Sequence, residues 1–382
     1  MKNNLKILRI IQTLDPKWGG PAHAIIDSSI ILQKKGFDVD ILTYDKKNKI
    51  NIKDKKIKIF NKGPGMGNYN FSWNLFFWLF KNKNKYDIYI IHGIWQFSTL
   101  LARILLKDKY YVFLHGGLDP YFQSEFIKSI KKKIYWYFFE KTNLKYSRSV
   151  ILTNEFEKKQ LSKTFVSTVG ITKTNVGYGI IKPKFNKKIV KNLFYKKFPN
   201  LKNKNFLIFL GRFHKKKGCF VLFNAIKKIL KKNKEIYFLM AGSESGYKKD
   251  LKNFALSNGL ERNIFWSNHI KGNLKWGAIS CSKGMVLPSH GENFGLSLVE
   301  SLSCSKPVLT TRKVGIHSKI TDYKAGLVSN DTSGDFAIIL QKFYKYNNKQ
   351  LKILSKNSFN CFDKEFNISK KYFLAEYLRL NK

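Results

Sequence analysis

The chain has 382 residues, 43% of them hydrophobic and 15% aromatic, which is enough for two domains with separate cores and excludes general disorder. Its formal charge of +46 points toward anionic partners such as nucleic acid, anionic membrane or acidic ligands. Only seven of its 71 basic residues are Arg, however, and Lys rises together with Asn, Ile, Phe and Tyr, so much of the charge reads as solvated Lys from compositional bias.

Short apolar runs alternate with helical patterns along the chain, the signature of βαβ units on parallel sheets. The first half predicts strands at Leu5–Ile11, Val39–Thr43, Ile57–Phe60, Ile88–Ile91, Tyr110–Leu114 and Ser149–Thr153. After the first strand, Gly19-Gly20-Pro21 leads into Ala22, Ile25, Ile26 and Ser29 at helical spacing, and Gly36 closes that helix. A basic stretch over Lys182–Asn205 shows little periodicity and reads as a linker. The pattern then restarts, with strands predicted at Phe206–Leu210, Ile236–Ala241, Ile264–Trp266, Gly284–Leu287 and Pro307–Thr310. An amphipathic stretch near Ser369–Leu380 reads as a closing helix. The expected division is residues 1–185, residues 186–365 and a final helix over 366–382. Two such α/β units in succession imply a cleft, with ligands at the carboxyl ends of strands.

Three runs carry chemistry. In Pro288–Glu300 a strand ends, a loop carries Glu292, Gly295 permits close backbone approach, and a helix opens near Leu296. The free N–H groups of that helix end suit a diphosphate, and Glu292 and Glu300 suit two sets of hydroxyls. Two carboxylates at such a spacing are also common on ordinary strand–loop–helix junctions. In Phe209–Gly218 a strand ends in Gly211-Arg212, and Lys217 precedes the next helix. The planar fork of Arg212 and the point charge of Lys217 both suit phosphate oxygens. Gly19-Gly20 stands where backbone would approach a ligand after the first strand. His115, followed by two glycines at a strand end, suits either a ligand contact or a backbone-bonded structural role, and His92 has the same alternatives.

Together these runs resemble glycosyltransferase family 4, whose members have the GT-B fold of two Rossmann-like, doubly wound α/β domains facing a cleft. The resemblance also takes in Ala241–Tyr247 and Leu114–Pro120, and extends from about residue 5 to residue 330. It implies an N-terminal acceptor-binding domain, a C-terminal nucleotide-sugar-binding domain, and a closing helix that returns to the first. By the same resemblance, Arg212 and Lys217 neutralise the donor diphosphate and stabilise it as the leaving group. Glu292 contacts the transferred sugar together with Asn293, Phe294, Gly295 and the helix start at Leu296, and Glu300 binds the ribose hydroxyls. Gly19 and Gly20 lie against the donor phosphates, and His115 reaches the sugar or the attacking hydroxyl. The implied activity is retaining and needs no metal or cofactor beyond the nucleotide-diphosphate sugar, with a glycan or lipid-linked acceptor in surface polysaccharide or lipopolysaccharide assembly. Two positions depart from the pattern: the usual Glu-Gly-Phe-Gly has Asn293 in second place, and the usual Pro-Asn-Gly reads Gly177-Tyr178-Gly179.

Other features weigh against different functions. Asp38-Val39-Asp40 imitates an Asp-x-Asp metal motif but runs straight into a strand, and Gly63-Pro64-Gly65-Met66-Gly67 imitates a dinucleotide fingerprint but reads as a flexible loop. The four cysteines form no Cys-x-x-Cys pair, which fits a reducing cytoplasm and offers no zinc site. Met1–Lys6 carries no signal-peptide core, and no apolar run approaches the ~20 residues of a membrane span. The expected location is the cytoplasm or the inner face of the cell membrane. Phe126–Phe139 reads as a basic, aromatic helix, suited either to an anionic membrane surface or to packing on the first sheet. A different GT-B enzyme, such as a nucleotide-sugar epimerase, is the first alternative. A polyanion-binding protein is the second, although no nucleic-acid-binding signature appears.

Overall fold

In the computed structural model, which describes residues 4–15, 20–46, 57–120, 126–164, 166–230, 235–243 and 246–380, the apolar runs become two parallel sheets. The chain divides into one unit of Met1–Ile181 with Tyr372–Lys382, and a second of Lys182–Lys371.

The first unit runs β1 (Lys6–Ile11), α1 (Gly20–Lys34), β2 (Asp38–Thr43), β3 (Ile59–Asn61), α2 (Trp73–Asn82), β4 (Ile88–His92) and α3 (Phe97–Leu106). It continues with β5 (Tyr110–Phe113), α4 (Phe126–Tyr135), α5 (Lys141–Lys145), β6 (Val150–Leu152), α6 (Glu155–Leu161) and β7 (Lys173–Asn175). The strands line up as β3-β2-β1-β4-β5-β6-β7, every pair parallel. Every residue of β4 and β5 is buried, as expected of strands covered by helices on both faces, which is why they read as continuous apolar runs.

In the second unit α7 (Lys187–Lys197) precedes β8 (Phe206–Leu210), α8 (Cys219–Leu230), β9 (Tyr237–Ala241), α9 (Gly246–Ser257), β10 (Ile264–Ser267) and α10 (Gly272–Cys281). Then follow β11 (Gly284–Leu287), α11 (Leu296–Ser303), β12 (Val308–Thr311), α12 (His317–Asp322), β13 (Gly326–Ser329), α13 (Ser333–Tyr344) and α14 (Asn348–Cys361). Its sheet order is β10-β9-β8-β11-β12-β13, again parallel. The last helix, α15 (Phe373–Leu380), belongs to the first unit: Tyr377 packs edge-on against Tyr111, and Arg379 donates to the Lys35 carbonyl.

The structure differs from the sequence reading in three places. The edge strands β7 and β13 have no fully apolar run, because most of their residues are only half-buried. The basic stretch expected as a linker holds α7, capped by Asn186 and anchored by buried Val190 and Phe194 among its lysines. Gly277 of α10 faces the Val190 carbonyl so closely that no side chain would fit, which gives α7 its seat. The second unit also extends to Lys371, since Phe366 packs edge-on against Phe294 before the chain returns to the first unit.

Between α4 and α5 a π-helical turn over Trp136–Glu140 buries Glu140 completely. Its carboxyl accepts from the Trp95 backbone N–H, the Thr99 hydroxyl and the Asn143 amide. Burial outweighs these bonds and raises the carboxyl from its ordinary 4.5 to about 7. A raised carboxyl favours the folded state in its protonated form, so this contribution is complete below about pH 4.5 and is lost as pH rises through 7. Glu140→Gln should remove that dependence. Urea unfolding of wild type and variant should diverge by on the order of 3 kcal/mol between pH 4.5 and 8, with wild type losing stability; parallel curves would overturn the assignment.

Candidate active site

In the second sheet the chain leaves β8 toward β9 on one side and later returns beside it as β11, so the strand order reverses between β8 and β11. At such a switch point the loops after the two strands part, leaving a crevice at their carboxyl ends. Here the loops are stitched at the base. The Lys216 carbonyl accepts from the His290 backbone N–H and from the Ser289 hydroxyl, each at 2.8 Å. Gly218, at φ +65°, lies so close to Pro288 that a Cβ would overlap its carbonyl oxygen. Gly242, after β9, presses in the same way on the Gly211 carbonyl after β8.

This stitching brings Lys217 and Glu292 together as an ion pair, both side chains about one-fifth exposed. The Glu292 backbone is held on both sides, donating to the Lys313 carbonyl at 3.0 Å and accepting from the Gly315 N–H at 2.8 Å. Burial pushes its carboxyl up, but the Lys217 charge and hydrogen bond, the Lys216 charge and the Gly295 N–H together hold it below the usual carboxylate range. Glu292 is therefore a fixed carboxylate with a cation beside it. Arg212, two residues beyond β8, is exposed and makes no ion pair among the described residues. Gly295 caps α11 at φ +89°, with its absent Cβ facing Val314, so the first amides of the helix follow Glu292 closely. A carboxylate, two or more cations and a helix N-terminus are thus grouped at one switch point, a chemistry suited to a diphosphate carrying a polar group.

The other predicted residues of this unit are more scattered in role. Asn293 and Leu296 are half-buried, whereas Phe294 is buried against Phe366 and serves the fold as well as the loop. Glu300 pairs with Lys275 at 2.6 Å, and Lys275 also stands over the Trp276 ring at 4.3 Å. Lys275 went unnoticed in the sequence because one lysine in so basic a chain carries no signal.

In the first unit, Gly19 lies outside the described residues, and Gly20 opens α1. His115 follows β5 with left-handed backbone (φ +49°) and stacks on Phe113 at 4.6 Å. Gly116 beside it donates its N–H to Glu157 at 2.8 Å, a partner the sequence did not reveal. His92, at the end of β4, is buried and hydrogen-bonds His115 across 2.9 Å. Asp40 accepts from the Lys58 backbone and the Tyr86 hydroxyl, a structural use that agrees with the strand-entry reading. The Gly63–Gly67 loop is packed rather than open, since no side chain would fit at Gly63 against the Tyr44 carbonyl. Among the described residues no group of three or more His, Cys, Asp or Glu is placed to hold a metal, and no helix is long and apolar enough to cross a membrane.

Comparison with known families decides the kinship. The model of glycosyl transferases group 1 matches residues 191–360, the unit that holds Arg212, Lys217 and Glu292. The model of glycosyltransferase family 4 matches residues 18–168. The chain belongs to glycosyltransferase family 4. An uncharacterized glycosyltransferase of Methanocaldococcus jannaschii is 28% identical over 63% of the chain and 60% of its own length. An alpha-1,3/1,6-mannosyltransferase of Dictyostelium discoideum is 26% identical over 69% of the chain and 62% of its own length. The chain thus aligns to somewhat less than two thirds of these relatives. Among solved structures, the sucrose-phosphate synthase of Thermosynechococcus elongatus superposes with a TM-score of 0.79 at 16% identity, covering 99% of this chain and 98% of that one. HepE of Anabaena, in complex with UDP and glucose, gives 0.75 at 15% identity over 98% of this chain and 100% of that one. WaaG, a glycosyltransferase involved in lipopolysaccharide biosynthesis, gives 0.72 at 14% identity over 97% and 98%. These likenesses establish the GT-B fold of this family 4 chain.

The Gly218 contact can be tested directly. Gly218→Ala adds a Cβ where φ is positive and a carbonyl already stands. We expect a loss of at least about 2 kcal/mol in urea unfolding. A variant as stable as wild type would show that the two loops are not locked through this backbone approach.

Proposed function

We propose that the chain is a retaining, metal-independent glycosyltransferase that moves a sugar from a nucleotide-diphosphate donor to a glycan or lipid-linked acceptor. The observation that carries this reading is the Lys217–Glu292 pair at the β8/β11 switch point, beside the exposed Arg212 and the start of α11. Arg212 and Lys217 take the diphosphate, offsetting the negative charge that grows on it as the sugar–phosphate bond breaks. Glu292, kept ionised by Lys217, holds hydroxyls of the transferred sugar and offsets positive charge on its ring, with the Asn293–Leu296 backbone beside it. Glu300 binds the ribose hydroxyls. Gly19 and Gly20 approach the donor phosphates, and His115 contacts the sugar or the attacking hydroxyl. The new bond forms from the acceptor oxygen to the anomeric carbon on the face that the phosphate leaves. The acceptor proton passes to the departing phosphate oxygen, so no protein nucleophile is required. Because fixed cations supply the charge, the reaction calls for no divalent metal.

The setting we propose is surface polysaccharide or lipopolysaccharide assembly at the inner face of the cell membrane. Supporting it, the stretch from α4 through the π-helical turn turns Ile134, Tyr137 and Phe138 outward at 56%, 77% and 63% exposure, beside exposed Lys131 and Lys133. On α2, Trp73, Phe77 and Phe80 are also half-exposed or more. Outward aromatics among lysines suit the interface of an anionic bilayer, each nearby lysine contributing about 1 kcal/mol.

Two measurements test these readings. Thermal-shift screening of UDP- and GDP-sugars should give a selective shift that Arg212→Ala weakens by about tenfold or more in affinity, as expected for losing a charged hydrogen bond. Transfer should persist in EDTA; a blank screen with both nucleotides, or loss of transfer with EDTA, would count against the donor reading. Separately, the protein should sediment with phosphatidylglycerol vesicles at low salt, and Tyr137→Ala with Phe138→Ala should weaken this. Absence of binding by wild type would remove the membrane setting.

A further inference from the structure

The strand order of the first sheet reverses between β1 and β4, and at this second switch point stands a buried polar chain. Arg9, in the middle of β1, is only 1% exposed and makes no ion pair among the described residues. Its Nη1 donates to the hydroxyls of Ser28 and Ser29 at 2.7 and 2.9 Å and to the Ile25 carbonyl at 3.1 Å. Its Nε donates to His92 Nε2 at 3.2 Å. His92 Nδ1 lies 2.9 Å from His115 Nε2.

One assignment of protons satisfies this chain. A guanidinium has only donors, so His92 Nε2 must accept and carries no proton. The single ring proton of His92 then sits on Nδ1 and donates to His115 Nε2. That nitrogen must in turn be bare, which leaves the proton of neutral His115 on Nδ1. An imidazolium at either position would set N–H against N–H. Burial foremost, helped by the Arg9 charge, holds both rings neutral, with His115 pushed down to about 3. Stacking of His115 on Phe113, with planes 10° apart, and the Gly116 bond to Glu157 fix the ring's orientation. Its Nδ1 has no hydrogen-bond partner among the described residues.

We propose that Arg9 and His92 are positioning residues that lock His115 in its Nδ1–H tautomer, so that His115 acts as a hydrogen-bond donor to a ligand oxygen and not as the base for the attacking hydroxyl. The role in transfer rests on the function proposed above; the tautomer does not. It also sharpens that function, because a His115 that cannot take the acceptor proton agrees with the passage of that proton to the leaving phosphate.

The test is a long-range nitrogen–proton correlation spectrum of the full chain labelled with ¹⁵N-histidine at neutral pH, with His115 assigned by comparison with His115→Ala. The expected result is a protonated Nδ1 and a bare Nε2 at His115, and the same tautomer at His92. In His92→Phe, the His115 signals should change to exchange between both tautomers. A wild-type His115 that is protonated on Nε2, doubly protonated or already exchanging overturns the proposal, whatever the His92→Phe variant shows. Titrating UDP-glucose and GDP-mannose into the labelled protein should shift the His115 Nδ1–H resonance with whichever donor binds. Binding of a donor that leaves this resonance unmoved overturns the donor role of His115. The locked tautomer with no binding of either sugar supports the relay and counts against the transferase reading instead.

Discussion

The close approach of Gly218 to Pro288 is the constraint on which the second unit's site depends. Parallel strands β8 and β11 bring the ends of two loops side by side, but adjacency alone does not set side-chain positions. With no side chain at Gly218, backbone meets backbone, and the Lys216 carbonyl can accept from both Ser289 and His290. The loop bearing Lys217 and the loop bearing Glu292 then behave as one piece. A further tie, from Glu292 to Lys313 and Gly315, carries the lock to the loop after β12.

That rigidity has an electrostatic consequence. A carboxylate taken out of water tends to keep its proton, and Glu292 is subject to this tendency. The adjacent Lys217 reverses it, so the pair presents fixed opposite charges in a part-buried place where such charges act more strongly than in water. Groups that are already oriented need little rearrangement when charge develops on a ligand, the property that the proposed transfer requires.

The first unit solves a different problem in its sheet. Arg9 is a buried cation satisfied by hydroxyls, a carbonyl and an imidazole in place of a carboxylate. Burying a charge this way is costly unless each donor is paired. The arrangement also imposes direction, since a group with donors only dictates where every following proton must sit. A carboxylate in the place of Arg9 would have imposed the opposite direction, since an acceptor-only group requires a proton on the His92 nitrogen that faces it. The buried Glu140, held by Trp95, Thr99 and Asn143, shows the complementary case, in which burial leaves an acid close to neutrality.

Most of the architecture was legible in the amino-acid sequence, because strands buried on both faces must be apolar throughout. Runs such as Ile88–Ile91 and Phe206–Leu210 therefore announced themselves, as did glycines at loop ends. The family was legible too, through the runs that hold Arg212, Lys217, Glu292 and Glu300 in their order. Helix α7 was not, because two buried side chains among lysines make a weak periodic signal. Nor were β7 and β13, whose edge positions relax the demand for apolar residues. Tertiary structure alone decided the pairings: Lys217 with Glu292, Lys275 with Glu300, Gly116 with Glu157, and Arg9 through His92 to His115. Sequence determines which groups are present and which segments must be buried. Which donor meets which acceptor depends on distances between residues far apart in the chain, and only the folded sheets set those.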